Sequence, residues 1–421
     1  MEQLIGLTDT AFMGRVGEVE LGATAIAGVY FLVIFMVGLG FSVGAQILMA
    51  RRNGEGNFRL IGNVFYQGMF FLIGLAAVLF TLSQAFSNSI LSGMISSPHV
   101  LAKAEDYLEW RVYGFFFSFG AAMFRAFYVG TTQTKTLTLN SVVMVLSNIV
   151  FNYVLIFGKL GLPALGIAGA AMGSSLAELV SLIFFIVYTR KRIDYRKYGL
   201  DRIQLPRMSE LKKILGISTW IMVQNFVSLS TWFIFFVYIE HLGERSLAIS
   251  NIVRSLSGFL FMIVVAFSST CSSVVSNMIG AGHKDLVLDV IKRHMRLAYA
   301  VLIPFAGIIA IFPRLFLSIY TDFPDLIDAS VVSVWVMCST YIFLVPANIY
   351  FNSVSGTGNT KMAFLLEMAA LVIYVAYITV VVYILRVDVA IAWTAEIVYG
   401  LFMLALCYFY MKSGKWQNKI I

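Results

Sequence analysis

Gly130-Thr-Thr-Gln-Thr-Lys135 and Gly356-Thr-Gly-Asn-Thr-Lys361 stand 226 residues apart and agree at four of six positions. Each ends a long apolar run and precedes another, so each reads as a tight turn between two helices. The same offset of 226 brings Gly17 onto Gly243, Glu18 onto Glu244, Leu21 onto Leu247, Gly54 onto Gly280 and Gly56 onto Gly282. Three successive apolar segments therefore keep one register, and the chain reads as a duplicated unit.

The segments between these turns identify the solvent. No Asp, Glu, Lys or Arg occurs in 21–50, 60–102, 136–158, 214–239, 255–283 or 329–360. Each stretch is long enough for a spanning helix, which takes about 20 apolar residues. Over all 421 residues, 60% are hydrophobic and 12% charged, about half the charge usual for a soluble domain. A soluble globular enzyme and a disordered chain are both excluded. The fold class expected is an all-α integral membrane protein of twelve transmembrane helices, the first one truncated.

Charge sets the topology. The connections near 51–59, 131–135, 190–213, 281–296 and 357–361, together with the tail, carry 21 of the 30 Lys and Arg. The opposite set carries few, among them Arg15, Lys103, Arg111 and Arg386, alongside acidic residues such as Glu105 and Asp106. The basic set belongs in the cytoplasm, so both termini are cytoplasmic in a multi-pass plasma (inner) membrane protein. The formal charge of +8 is this topology signal and does not point to nucleic acid. The connection from Arg190 to Lys213 holds nine basic residues and divides the chain into a six-helix bundle over 1–190, a basic linker over 191–213 and a second six-helix bundle over 214–421. Six helices per half give parallel repeats related by a pseudo-two-fold axis normal to the membrane, an architecture suited to alternating access. The seventh helix begins near Leu211, so at the offset of 226 the first should begin upstream of Met1; as written, its thirteen residues make only about 20 Å of helix.

Ionisable residues at bilayer depth are costly and each needs a partner or a task. They are Asp9, Arg125, Glu178, Arg254, Glu367 and Glu396. Asp9 and Glu178 are candidate proton- or cation-coupling carboxylates. Asn148 and Asn152, four apart on the fifth helix, share one face and lie near the depth of Asp9, as does Ser174 on the sixth. Two readings fit these residues: oxygen ligands for a small hard cation, or hydrogen-bonding glue between helices. Arg254 and Glu396 lie at similar depth and are expected to form a structural ion pair, while Glu367 has Lys361 or Arg125 as candidate partners. Gly40-x-x-x-Gly44 and Gly169-x-x-x-Gly173 are packing signals. Pro346 and Pro304 are expected to interrupt the tenth and ninth helices. Pro346, with Asn348 and Asn352 following it, and Gln224 and Asn225 on the seventh helix are the candidate hinge or substrate-cleft residues.

Cys271, Cys338 and Cys407 are far apart inside helices, and no histidine neighbours a cysteine pair. No metal centre or enzyme site is expected. A membrane-embedded transferase, the less favoured alternative, would need its acidic or histidine residues clustered at one membrane face.

Asp9-Thr-Ala-Phe-Met-Gly-Arg-Val-Gly17, then Asn152-Tyr-Val-Leu-Ile-Phe-Gly158 with Gly161-Leu-Pro-Ala-Leu-Gly166-Ile-Ala-Gly169, and the Ser355-Gly-Thr-Gly-Asn-Thr360 turn resemble signature stretches of the multidrug and toxic compound extrusion (MATE) transporters. The resemblance covers essentially the whole chain. It implies a secondary antiporter that exports organic cations or other amphipathic small molecules in exchange for H+ or Na+, working as a monomer in the bilayer with no other cofactor. It also implies that Asp9 couples the ion, with Asn148, Asn152 and Ser174 beside it. Some relatives carry an aspartate where this chain has Asn152, which makes the site here less anionic. Some also place acidic residues in the seventh and tenth helices, where this chain offers Gln224 and Asn225 and no carboxylate between Ala329 and Thr360. The alternative within the superfamily is a lipid-linked oligosaccharide flippase, which usually lines its cleft with more cationic residues.

Overall fold

The computed structural model describes residues 6–418 apart from Leu7, Thr10, Ala11, Gly14, Met94, Ser96 and Asp322. The chain divides into two compact units, one of Met1–Asn53 with Asn57–Met222 and the other of Gly54–Gly56 with Val223–Ile421. Every regular element among the described residues is helical. Among the described residues ten helices are long and apolar enough to cross a membrane, and one bent pair makes up to eleven. Gly6, Thr8, Asp9, Phe12 and Met13 are also helical. The expected start of that first helix upstream of Met1 falls outside the described residues.

The first unit contains the Asp9 segment and then α1 (Glu18–Gly54), α2 (Phe58–Ser92), α3 (Pro98–Arg111), α4 (Gly114–Gly130), α5 (Lys135–Phe157) and α6 (Gly166–Arg192). The connection expected at 97–105 is instead α3. Pro98 stands in its first turn, where the missing N–H costs nothing. The axis then bends by 51° into α4. Gly114 lies at this bend directly against the Arg111 guanidinium and the Glu178 carboxylate, which occupy the space a Cβ would take.

The 191–213 segment is not an independent linker. It packs onto the first unit, and the division between units falls later, inside α7 (Met208–Glu240). Buried Gln67 grips the segment from both sides, donating from Nε2 to the Leu205 carbonyl at 2.9 Å and accepting from the Arg207 N–H at 2.8 Å. Tyr66 donates to the Leu200 carbonyl at 2.8 Å, and Gln133 to the Tyr198 hydroxyl at 2.9 Å. Gly199, at φ +66°, turns the chain against the backbone beside Gly62. A segment rich in Lys and Arg looks fully solvated in sequence, yet its backbone polar groups still need partners, and α2 supplies them.

The second unit holds the rest of α7, α8 (Glu244–Gly280), α9 (Val287–Ile311), the short α10 (Pro313–Leu317), α11 (Pro324–Gly356), α12 (Thr360–Ile378), α13 (Val389–Ala392) and α14 (Ala395–Lys412). The duplication is visible in its local geometry. The helices α1 and α8 both have 37 residues, with both ends displaced by 226. Gly56 and Gly282, at φ +73° and +85°, make equivalent turns, each followed by the same six-residue backbone bond: Asn57 N–H to Arg52 carbonyl and His283 N–H to Met278 carbonyl. Thr132 and Gly358, at φ +62° and +87°, occupy the same left-handed position in the paired turns quoted above.

The prolines do not interrupt their helices. Both α9 and α11 run continuously through Pro304 and Pro346. Pro346 has no N–H for the Ile342 carbonyl one turn earlier. The Tyr299 hydroxyl on α9 donates to that carbonyl instead, which removes the cost of an orphan carbonyl in an apolar setting.

Candidate functional site

Three elements of the first unit converge on Asp9. The stripe Asn140, Met144, Asn148, Asn152 and Ile156 on α5 is buried at a spacing of four residues, so both candidate asparagines face the core. Opposite runs α6, with glycines where the helices touch: a Cβ at Gly169 would lie 2.6 Å from the Leu155 carbonyl oxygen, and one at Gly173 would overlap Asn152 Oδ1. Asn140 donates to Ser181 at 2.8 Å lower on the same seam. Phe12 packs on Phe157 with ring centroids 6.0 Å apart, and Met13 joins a core with Tyr107, Ile156 and Ala170. These contacts seat the Asp9 segment across the α5–α6 seam.

At the junction Asp9 Oδ1 accepts from Asn152 Nδ2 at 2.7 Å and from Asn148 Nδ2 at 3.3 Å, and Asp9 Oδ2 accepts from Ser174 Oγ at 2.6 Å. Asn148 Nδ2 also reaches Ser174 Oγ at 3.1 Å, and Asn152 Nδ2 reaches Asn148 Oδ1 at 3.3 Å. Asp9 is 4% exposed and the other three 0%. The carboxylate is thus met by neutral donors, and among the described residues no Lys or Arg pairs with it directly. Arg111 acts on it only through space. Asn152 Oδ1 is buried with no hydrogen-bond donor. A half-turn of either amide exchanges its N–H donors for a carbonyl oxygen, so the same four side chains can present either donors to a carboxylate or oxygens to a cation.

Glu178 does not join this cluster. Its carboxylate takes a two-pronged pair from Arg111, at 3.0 and 2.6 Å, with the guanidinium 3.5 Å from the centroid of the Phe31 ring. Arg111 is among the charges that sequence reading assigns to an outer connection. The bend after α3 carries it inward, where it is 4% exposed. Tyr107, one turn earlier and 3% exposed, lies within electrostatic reach of Asp9, Arg111 and Glu178. Neither residue was found from sequence. The available signal was the unpartnered mid-helix Glu178, which demanded a buried cation.

In the second unit the expected Arg254–Glu396 ion pair does not form. Arg254 follows buried Val253 on α8, and that register turns it outward, over the rings of Phe236 and Trp232 at 5.2 and 5.9 Å. Glu396 accepts from the Tyr374 hydroxyl at 3.1 Å. Glu367 does not pair with Lys361: its Oε1 accepts from Ser228 and Tyr399, and its Oε2 has no hydrogen-bond partner among the described residues. Asn348 and Asn352 bond back to the Leu344 and Asn348 carbonyls of their own helix, at 2.9 and 3.0 Å. Gln224 is buried and Asn225 half-buried on α7. Among the described residues no side-chain hydrogen bond links Gln224 or Asn225 to Asn348 or Asn352, in contrast to the bonds that join Asp9, Asn148, Asn152 and Ser174.

With this geometry in view, comparison places the chain. The MatE family model matches residues 1–154 and 221–383. The chain belongs to the MatE family of membrane transporters, and it is not an enzyme. A relative named probable multidrug resistance protein NorM, from Thermotoga maritima, is 26% identical across 100% of this chain and 90% of its own length. A Synechocystis relative of the same name is 25% identical over 76% of this chain and 69% of its own. Among solved structures, MATE in its straight conformation superposes with a TM-score of 0.88 at 16% identity, covering 98% of this chain and 92% of that one. A MOP superfamily transporter from Pyrococcus furiosus, described as having a binding pocket of reverse polarity, gives 0.87 at 16% identity, covering 100% and 95%. The MatE fold of this chain is the twelve-helix, two-bundle fold of those structures.

Proposed function

We propose that this protein is a secondary active antiporter that exports organic cations or other amphipathic small molecules in exchange for inward H+ or Na+, with Asp9 as the coupling carboxylate. It sits in the plasma (inner) membrane with both termini in the cytoplasm. The name of the relatives, probable multidrug resistance protein NorM, supports the substrate class, and the clustering of Lys and Arg in alternate connections supports the orientation. One observation carries the coupling role: a buried carboxylate held by three neutral side chains from two other helices, with no Lys or Arg among the described residues paired to it.

Such a carboxylate responds to an arriving cation by rearranging its contacts. In the ionised form Asp9 is only an acceptor, and Asn148, Asn152 and Ser174 all donate to it. A proton on Oδ2 turns that oxygen into a donor, so Ser174 must receive where it had given. A sodium ion instead requires the amide oxygens to turn inward, and Asn152 Oδ1, already without a donor, is the first available. Either event changes how the Asp9 segment is held to α5 and α6, which is the coupling a two-state transporter needs.

The test is transport in proteoliposomes with an imposed pH or sodium gradient and a cationic dye as substrate. Asp9→Asn is expected to abolish gradient-driven dye movement, and unchanged gradient-driven movement would overturn the proposal. Because interhelical hydrogen bonds in membranes contribute only about 0.6 kcal/mol each, the variant should remain folded. Asn152→Asp adds a second anionic oxygen and is expected to raise the response to sodium relative to protons. The same assay with a lipid-linked oligosaccharide as cargo distinguishes the flippase alternative.

A further inference from the structure

A second buried carboxyl site lies wholly within the second unit. Glu367, on α12, is 3% exposed. Its Oε1 accepts from Ser228 Oγ on α7 at 2.6 Å and from the Tyr399 hydroxyl on α14 at 3.3 Å. Its Oε2 is buried with no hydrogen-bond partner. Glu396 and Tyr374 stand beside it: Tyr374 donates to Glu396 at 3.1 Å and packs edge-on against Tyr399 with centroids 6.0 Å apart. Among the described residues neither carboxyl group is paired with Lys, Arg or His. The other titratable groups facing the site are Tyr399, Tyr374, Glu396 and Cys407, with Tyr341 beyond Glu396.

Counting hydrogens exposes a conflict at Ser228. Its hydroxyl stands 2.6 Å from Glu367 Oε1 and also 2.9 Å from the Gln224 carbonyl oxygen one turn back. A hydroxyl has one hydrogen and can satisfy only one of two acceptors. With Glu367 ionised, Ser228 gives its hydrogen to the carboxylate, and Oε2 remains a buried, unneutralised oxygen, which is costly. With a proton added, Glu367 donates to Ser228 Oγ and Ser228 turns its own hydrogen to Gln224. The carboxylate gains one proton and no other covalent bond is made or broken, and the hydrogen bonds only exchange direction and acceptor, so both states fit the same heavy-atom positions.

We propose that Glu367 is a proton-exchange site of the second unit, switched through Ser228 and Tyr399 and separate from Asp9. Its chemistry is that of a proton-binding carboxyl group and requires no metal. This proposal does not depend on the antiport reading, because it can be tested without transport.

The experiment is infrared difference spectroscopy of the whole protein in lipid nanodiscs, acid minus alkaline. The wild type is expected to show a protonated-carboxyl C=O band that is lost in Glu367→Gln and retained in Asp9→Asn. Superimposable wild-type and Glu367→Gln spectra would overturn the proposal. Ser228→Ala keeps the carboxyl but removes its switching partner, so the same band should shift in frequency. If Glu367→Gln does not fold, an unshifted band in Ser228→Ala is equally fatal to the assignment.

Discussion

Glu178 stands in mid-helix at 1% exposure, and Arg111 meets it with both terminal nitrogens. The two charges compensate each other, and removing either one leaves the other a buried charge without its main counter-charge. Arg111→Met is therefore expected to destabilise the first unit by about 3 kcal/mol. The double change Arg111→Met with Glu178→Leu should recover most of that loss in thermal unfolding of the detergent-solubilised protein. A double variant no more stable than the single one would mean that the pair is not what holds α3 to α6. Thr132 poses a backbone problem rather than a charge problem. It sits at φ +62°, where its repeat partner is Gly358 at φ +87°. A β-branched residue in that region costs about 1–2 kcal/mol relative to a helical backbone, so Thr132→Gly is expected to stabilise the protein by roughly 1 kcal/mol, read as a higher unfolding midpoint. At this scale the sequence shows which residues need help, such as Glu178 and Asp9. It does not show who provides it, because Arg111 and Tyr107, which share one face of α3, meet Glu178 and Asp9 only in the folded chain.

Pro346 in α11 illustrates the same limit for a whole element. A proline in an apolar helix predicts a break, yet the helix continues because α9 presents a hydroxyl where the carbonyl is freed. Tyr299→Phe should cost about 1 kcal/mol. In a Pro346→Ala background, where the backbone N–H is restored, the same change should cost clearly less. A double-mutant cycle measures this difference, and equal costs in the two backgrounds would refute the role given to Tyr299. Glycine spacing was more legible. The Gly169-x-x-x-Gly173 pattern marks a close helix contact, and α5 and α6 do meet there. What the spacing does not reveal is that Gly173 faces Asn152. Gly173→Ala is expected to displace the Asn152 amide from Asp9 and to reduce gradient-driven dye transport several-fold with little loss of folded protein. Full transport by that variant would separate the packing seam from the site.

At the scale of the whole molecule, the proposed orientation rests on the charge of alternate connections, and reporter fusions test it. A fluorescent protein fused after the tail should fold and fluoresce, whereas alkaline phosphatase at the same place should be inactive; the opposite pattern would invert the assigned topology. The duplication is also a whole-chain property, and the equal lengths of α1 and α8 and the matched left-handed turns confirm a register first visible in two six-residue stretches. By itself the sequence determined the solvent, the helical class, the repeat, and Asp9, Asn148, Asn152 and Ser174 as the residues to watch. Those properties depend on composition and on spacing along the chain, which can be read without knowing how the helices pack. Tertiary structure alone decided that Glu178 belongs to Arg111, that Arg254 and Glu396 stay apart, that Glu367 meets Ser228 and Tyr399, and that residues 191–213 pack onto the first unit. Each of those outcomes depends on helix rotation and bend angle. A turn of 100° per residue carries a side chain from one neighbour to another without leaving any trace in the apolar pattern.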